Sequence, residues 1–350
     1  MNRKLLSFLG GLGLALASAT PAYATLTFNT FVASTGGQPI GYAYAGDKFV
    51  GSNYFNNQLY QTNLSGGGVA TFGAALPIAS GSIGEVYVSS SLGLGGFGSR
   101  DVFAGSEALG TVYKFNNDGS GQSAFVSGLT GGVRSIAFDP YGLYGNNMIV
   151  ATNAGVIYSI NNLGVASILA TPGVDTEGLS FAPQSFGPSV PAGTLVVASE
   201  GSGSLRAISP AGAMTNITTI VSAEMVSFVP LNLGISGNPL EGFYAANYST
   251  NVIKSAYTDF LSYLGDMIVT GETTHEVWDV KWDGTSYVKT LIGNFPNQPE
   301  DGIFVTAAIL NPGCDRTNTC GGNVPEPGSI ALVALGFAGL AGIRRRKHAL

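Results

Sequence analysis

FVGSNYFNNQLYQTNLSG from Phe49, VFAGSEALGTVYKFNNDG from Val102, IVATNAGVIYSINNLG from Ile149, VVASEGSGSLRAISPAG from Val196, FYAANYSTNVIKSAYTDF from Phe243 and IVTGETTHEVWDVKWDG from Ile268 are six versions of one strand–turn–strand unit. Each opens on a short apolar run, turns through Gly, Asn or Ser, and resumes with alternating apolar and polar residues. That is the pattern of paired short strands, and no stretch between them has a convincing amphipathic-helix period. The blocks start 53, 47, 47, 47 and 25 residues apart. A period in the forties with about four short strands per unit is that of a β-propeller, an all-β fold. Six hairpins predict six blades; the interval of 25 makes one blade reduced or irregular and leaves five or seven as the alternatives.

A second element runs in phase with the first. EVYVS begins at Glu85, RSIAFDP at Arg134, EGLSFAP at Glu177 and EMVSFVP at Glu224, each ahead of a hairpin, and DGIFV at Asp301 follows the last one. These are expected to be the innermost strands, and DGIFV is expected to close the ring by joining the first blade. In a propeller the start of the inner strand and the end of the second strand meet on one face, around the central channel. The first set is then Glu85, Arg134, Glu177, Glu224 and Asp301. The second is Asn53, Ser106, Asn153, Glu200, Asn247 and Glu272, with His275 in the same face's last hairpin loop.

By period and hairpin style the body resembles the NHL-like and gluconolactonase-like six-bladed propellers. In the gluconolactonase-like group a calcium ion near the channel, held by Glu, Asn and Asp, polarises a lactone. The resemblance thus implies an oxygen-rich calcium site drawn from Glu85, Glu177, Glu224, Asp301, Asn153, Glu200 and Asn247. No motif of that group is matched residue by residue. The competing reading is that Asn and Glu recur because every blade repeats one turn, with Asn side chains bonding backbone amides. Trp278 and Trp282 alternate with Val280 on one strand face, which suits packing between blades.

Residues 25–323 carry nine Lys and Arg against twenty Asp and Glu, a net charge near −11 that argues against nucleic acid and anionic membrane surfaces. The 51 glycines are turn residues, since no glycine-rich loop opens a helix to cradle phosphate. Of two histidines, only His275 lies in this body, and no G-x-S-x-G elbow accompanies it. Cys-His nucleophiles and poly-histidine metal centres are thereby nearly excluded, and no catalytic residue is assigned.

The two ends have another purpose. Residues 1–24 combine Arg3 and Lys4, an apolar stretch from Leu5 to Ala17, and the A-x-A site Ala22-Tyr23-Ala24. That is a secretory signal peptide, whose removal by signal peptidase would leave Thr25 first. The propeller is expected over residues 25–310. Residues 311–323 form a Gly- and Asn-rich stalk in which Cys314 and Cys320 are expected to close a small disulfide loop in an oxidising compartment.

Residues 324–350 read Val-Pro-Glu-Pro, then an apolar run from Ser329 to Ile343, then Arg344, Arg345, Arg346 and Lys347. The prolines hold Pro325-Glu326-Pro327 extended, as a processing enzyme would grip it. As a helix the apolar run spans about 22 Å, short of a bilayer core of about 30 Å, and the cations keep its end cytoplasmic. This layout resembles the PEP-CTERM sorting signal, which is read and cut at its motif by an exosortase. The resemblance covers the tail alone and implies an inner-membrane precursor with one transmembrane helix, then release to the periplasm, cell surface or extracellular matrix. Two functional readings follow: a non-enzymatic exported propeller, with exopolysaccharide as an associated partner, or a calcium-dependent hydrolase of lactones or esters.

Overall fold

Strands that are apolar on both faces have to be covered on both faces, and this requirement organises the molecule. A computed structural model describes residues 26–249 and 251–310. Among them, twenty-four strands make six antiparallel four-stranded sheets. The first described strand is β1 (Asn29–Val32). Blade one follows as β2 (Pro39–Tyr44), β3 (Phe49–Asn53), β4 (Leu59–Thr62) and β5 (Ala70–Phe72). Blade two is β6 (Val86–Ser90), β7 (Val102–Ser106), β8 (Thr111–Phe115) and β9 (Ser123–Ser127). Blade three is β10 (Val133–Phe138), β11 (Met148–Thr152), β12 (Ile157–Ile160) and β13 (Ala166–Ala170). Blade four is β14 (Gly178–Phe181), β15 (Leu195–Ser199), β16 (Ser204–Ile208) and β17 (Met214–Thr219).

The last two blades are interlocked. The chain lays down β18 (Ala223–Phe228), then β19 (Gly242–Asn247) and β20 (Asn251–Ala256), then β21 (Met267–Gly271), β22 (Glu276–Trp282), β23 (Tyr287–Asn294) and β24 (Pro299–Val305). Blade five is ordered β18-β21-β22-β23, and blade six β24-β19-β20-β1. The inner strand of blade five thus pairs Phe228 with Met267, across an excursion that builds the middle of blade six. This explains the interval of 25 residues: adjacent hairpins in sequence belong to different blades, and neither blade is reduced. It also corrects the expected closure. The strand carrying DGIFV joins β19, pairing Phe304 with Phe243, so it is the inner strand of blade six, and blade one takes Pro39–Tyr44 instead. Both ends of the described chain meet in blade six, where β1 supplies the outer strand.

The inner strands β2, β6, β10, β14, β18 and β24 follow one another around the axis. Every strand next to them (β3, β7, β11, β15, β19 and β21) is buried at every position. That is why these runs read as continuous apolar sequence without alternation. Outer strands such as β9 and β17 are largely exposed. One apolar cluster fills each of the six blade interfaces. Trp278 packs into the cluster between blades four and five, and Trp282 lies edge-on to Tyr287. No helix among the described residues is long and apolar enough to cross a membrane. The expected signal peptide, Cys314 and Cys320, and the tail from 324 lie outside the described residues.

The interface that closes the ring, between blades six and one, is rich in aromatic rings. Phe49 is fully buried, stacks on Tyr42 at 5.1 Å between centroids, and touches Tyr244 at 4.8 Å and Phe31 at 5.4 Å. Phe49→Ala is expected to destabilise the protein by about 3–5 kcal/mol, measured as a shift in the urea midpoint at constant slope. A loss below about 1 kcal/mol would mean that this junction does not hold the ring shut.

Candidate functional site

At one end of the inner strands of blades two to six stand Glu85 and Glu177, just ahead of β6 and β14, and Arg134, Glu224 and Glu300, second in β10, β18 and β24. Backbone irregularities aim several of them. The pairing register shifts across Arg134 in β10, across Glu224 in β18 and opposite Glu300 and Asp301 in β24. A bulge places two residues against one and turns a side chain away from the regular pleat.

Arg134 is the hub. Its Nη1 donates to Glu85 and, at 2.9 Å, to Glu107. Its Nε lies 3.3 Å from Asp175 Oδ1, and its Nη2 meets Glu177 and lies 3.7 Å from Glu200. The guanidinium carbon stands 5.8 Å from the centre of the Tyr87 ring. The Tyr87 hydroxyl lies 2.7 Å from Glu85 Oε2 and 2.8 Å from Glu177 Oε2, with one proton to share between them. Burial works against the Arg134 charge, but Tyr87 and the surrounding carboxylates outweigh it and hold its pKa above the usual value. For Glu85 the balance is opposite: burial pushes its carboxyl up by more than Arg134 pulls it down.

The acids outnumber that one cation and crowd together around and beside it. Glu200, Glu224 and Glu272 each place a carboxylate oxygen within 4.8 Å of the others, and Asp175, Glu177 and Glu200 form a similar group. Glu224 is 4% exposed and its Oε2 has no hydrogen-bond partner. Glu300 is 1% exposed. Gln298 Nε2 donates to Glu272 Oε1 at 2.6 Å and to Glu300 Oε1 at 2.9 Å. Burial, then a hydrogen bond with Glu200, pushes the Glu272 carboxyl up to about 8. Burial and neighbouring carboxylates hold Glu224 and Glu300 well above the carboxylate range. Such a group can be quieted by protons, by a divalent cation with oxygen ligands, or by an organic cation.

The structure divides the residues expected from sequence. Glu85, Glu177, Glu200 and Glu224 come together at the mouth, with Glu272. Asp301 does not join them: its carboxylate accepts from the backbone N–H groups of Tyr42 and Gly302, and burial pushes it up to about 7. Glu300 takes its place, because the bulge in β24 changes which of the two acids faces the axis. The amides and hydroxyl hold turns. Asn153 Oδ1 accepts from Gly132 N at 2.9 Å while its Nδ2 donates to the Glu107 carbonyl. Asn247 Oδ1 accepts from Asn297 N at 2.9 Å, Asn53 bonds Thr35, and Ser106 donates to the Ile83 carbonyl. His275 shapes its own hairpin, with φ 57°, its N–H on the Gly271 carbonyl and its carbonyl taking the Phe295 N–H. Sequence reasoning missed Glu107, Asp175, Glu300 and Gln298, although the first two lie one and two residues from predicted positions.

Residues 323–347 match the PEP-CTERM protein-sorting motif. A search of curated proteins finds no match to the chain. Among solved structures, one from a nidogen/laminin complex is 14% identical with a TM-score of 0.50, covering 75% of this chain and 83% of that one. A catalytically inactive virginiamycin B lyase from Staphylococcus aureus with quinupristin is 12% identical with a TM-score of 0.50, covering 77% of this chain and 74% of that one. At these identities the likeness is one of fold.

The raised carboxyls make a testable linkage. Groups whose folded pKa lies above the unfolded value of about 4 stabilise fully below that pH, and the contribution is lost as pH rises toward the folded value. With Glu272 at about 8 and Asp301 at about 7, the melting temperature is expected to fall from pH 5 to pH 8 in metal-free buffer. Arg134→Met should steepen that fall by removing the cation from the cluster. Thermal scans across the range check both, and a flat profile in the variant would contradict the role given to Arg134.

Proposed function

Because residues 323–347 carry a PEP-CTERM protein-sorting motif behind a six-bladed β-propeller, we propose that this is an exported protein released by an exosortase, with the propeller as a non-enzymatic binding module outside the cell membrane. The sorting motif is the observation that carries this reading. Signal peptidase would cut after Ala24, and the apolar run from Ser329 to Ile343 would then hold the precursor in the inner membrane. Exosortase would cut within Pro325-Glu326-Pro327. A run of 15 apolar residues interrupted by Gly336, Gly339 and Gly342 is a weak helix and a short span, suited to temporary retention. Arg344, Arg345, Arg346 and Lys347 set its orientation, since carrying one such cation to the bilayer centre costs about 2.5–3.5 kcal/mol on insertion scales. The acidic mouth is the binding surface, and a matrix exopolysaccharide is the partner that the destination favours.

A second reading, a calcium-dependent hydrolase of lactones or esters, is favoured by the convergence of Glu200, Glu224 and Glu272. Calcium would be held there by these carboxylates with Glu300, and would polarise a carbonyl. Calorimetry with CaCl₂, repeated on Glu224→Gln, tests it together with a turnover assay on simple lactones; no calcium binding ends this reading.

Intact-mass spectrometry of the exported protein tests the first reading. The mature species is expected to begin at Thr25 and end near Pro325 to Pro327. Glu326→Ala should leave membrane insertion intact and accumulate uncleaved precursor, whereas neutral replacements at residues 344–347 should let the tail slip through unprocessed. An exported form that still carries Leu350 would make the tail a permanent anchor.

A further inference from the structure

The ring of charges has one gap. Blade one brings no charged residue to the mouth, because β2 opens on Pro39 with Gln38 before it. Aromatic rings stand there instead. Tyr54 and Phe55 come from the β3–β4 turn, and Tyr248 from the β19–β20 turn. Tyr54 and Phe55 lie 4.1 Å apart between centroids, and Tyr54 meets Tyr248 edge-on at 5.7 Å. Phe55 is 45% exposed and sits at φ 52°, a left-handed conformation that disfavours a bulky side chain. Its backbone is pinned on both sides: its N–H donates to the Gly84 carbonyl at 3.0 Å, and its carbonyl accepts from Gly81 N at 3.0 Å. An apolar ring is therefore held in water, at a local conformational cost, on a turn bonded to the loop that leads to Glu85. The lip also shares the electrostatics of the mouth: after burial, Glu107, Glu85 and Glu300 raise Tyr54, and Tyr54, Glu300 and Glu85 raise Tyr248.

The acids on the far side are not self-sufficient. Glu224 is nine-tenths buried and more, it faces Glu200 and Glu272, and its Oε2 lacks a partner. An unpaired buried carboxylate is costly, so the site favours a ligand that brings positive charge and N–H donors. A single guanidinium already committed to Glu85, Glu107 and Glu177 leaves nothing to attract an anionic ligand. The aromatic lip adds the other half of the requirement, since a ring face attracts an ammonium group and buries the apolar face of a flat ligand.

Resting on the binding-module reading above, we propose that the mouth recognises an ammonium group carried on a ring, as in a polysaccharide that contains hexosamine units with free amines. The ammonium would sit among Glu200, Glu224 and Glu272, and the sugar face against Phe55 and Tyr248. The same ammonium chemistry could be supplied by a small linear polyamine, which would use the acids and not the lip.

Titration calorimetry on the full-length chain in detergent separates these sources, with a free-amine glucosamine oligomer, its N-acetylated counterpart and spermidine as probes. The free-amine oligomer is expected to bind, and the N-acetylated one, with the same rings and no charge, to bind at least about tenfold more weakly. Tyr248→Ala and Phe55→Gly should each weaken the oligomer by about threefold to thirtyfold. Phe55→Gly relaxes the left-handed backbone while removing the ring, so an unchanged melting temperature with weaker binding cannot be a folding defect. Glu224→Gln should weaken both the oligomer and spermidine. No binding of the free-amine oligomer, or binding of it that ignores Phe55→Gly and matches spermidine, overturns the proposal. Because the assay uses the unprocessed chain, its result is independent of whether the sorting motif is cut; the mass spectrum of the exported protein decides that separately.

Discussion

The structure depends on the burial of the second strand in every blade. Those six strands have no solvent face, so none is satisfied until a blade stands on each side of it. An open row of such sheets would leave two apolar faces in water, each a large exposed patch. Closing the row into a ring removes both, and the closure is reinforced where it occurs by the aromatic cluster around Phe49, Tyr42 and Tyr244. This explains how a chain with only about a tenth of its residues charged can bury so much apolar sequence with little helix among the described residues.

The same closure creates the electrostatic problem at the axis. Inner strands that repeat an acidic first residue are brought side by side, and the ring cannot widen without opening the blade interfaces. One blade breaks the repeat with Arg134, and that cation gathers most of the acids within its reach. A buried ion-pair cluster is weak evidence of net stability, because removing charges from water costs several kcal/mol per ion, but losing one member is severe. Glu224 and Glu272, which make no ion pair with Arg134, remain undercompensated, so the structural hub passes, through the shared Glu200, into a ligand-seeking surface.

The propeller was legible because its most buried strands leave a clear record: apolar runs without alternation, followed by a turn, at a spacing of 47 residues in three of the five intervals. Six blades followed from counting them. The exchange between blades five and six was not legible, since EMVSFVP and DGIFV are equivalent patterns and nothing local says which hairpin each will pair with. Acids at the head of the inner strands were readable from phase alone for Glu85, Glu177 and Glu224. For the doublet Glu300-Asp301 the phase failed, because a bulge inserts a residue that alternation cannot count. Asn153 and Asn247 were ambiguous for a different reason. Their composition suits a metal ligand and a turn equally, and the turn bonds to Gly132 N and Asn297 N come from residues far away in sequence.

The interlocking of the last two blades has a consequence for the order in which the chain can assemble as it emerges. Blades one to four are each contiguous, so each can form its hairpins soon after it appears, with short loops to close. Blade six cannot. Its outer strand β1 is the first to appear and waits for β20, more than two hundred residues later, while its inner strand β24 is the last strand of the ring. Blade five is held open meanwhile, with β18 unpaired until the chain returns from blade six. The long-range pairings are thus concentrated in the final step, which makes closure slow and nearly all-or-none. A partly emerged chain is a row of finished blades with an unfinished seam, and it becomes a ring only once the segment next to the sorting tail has come through.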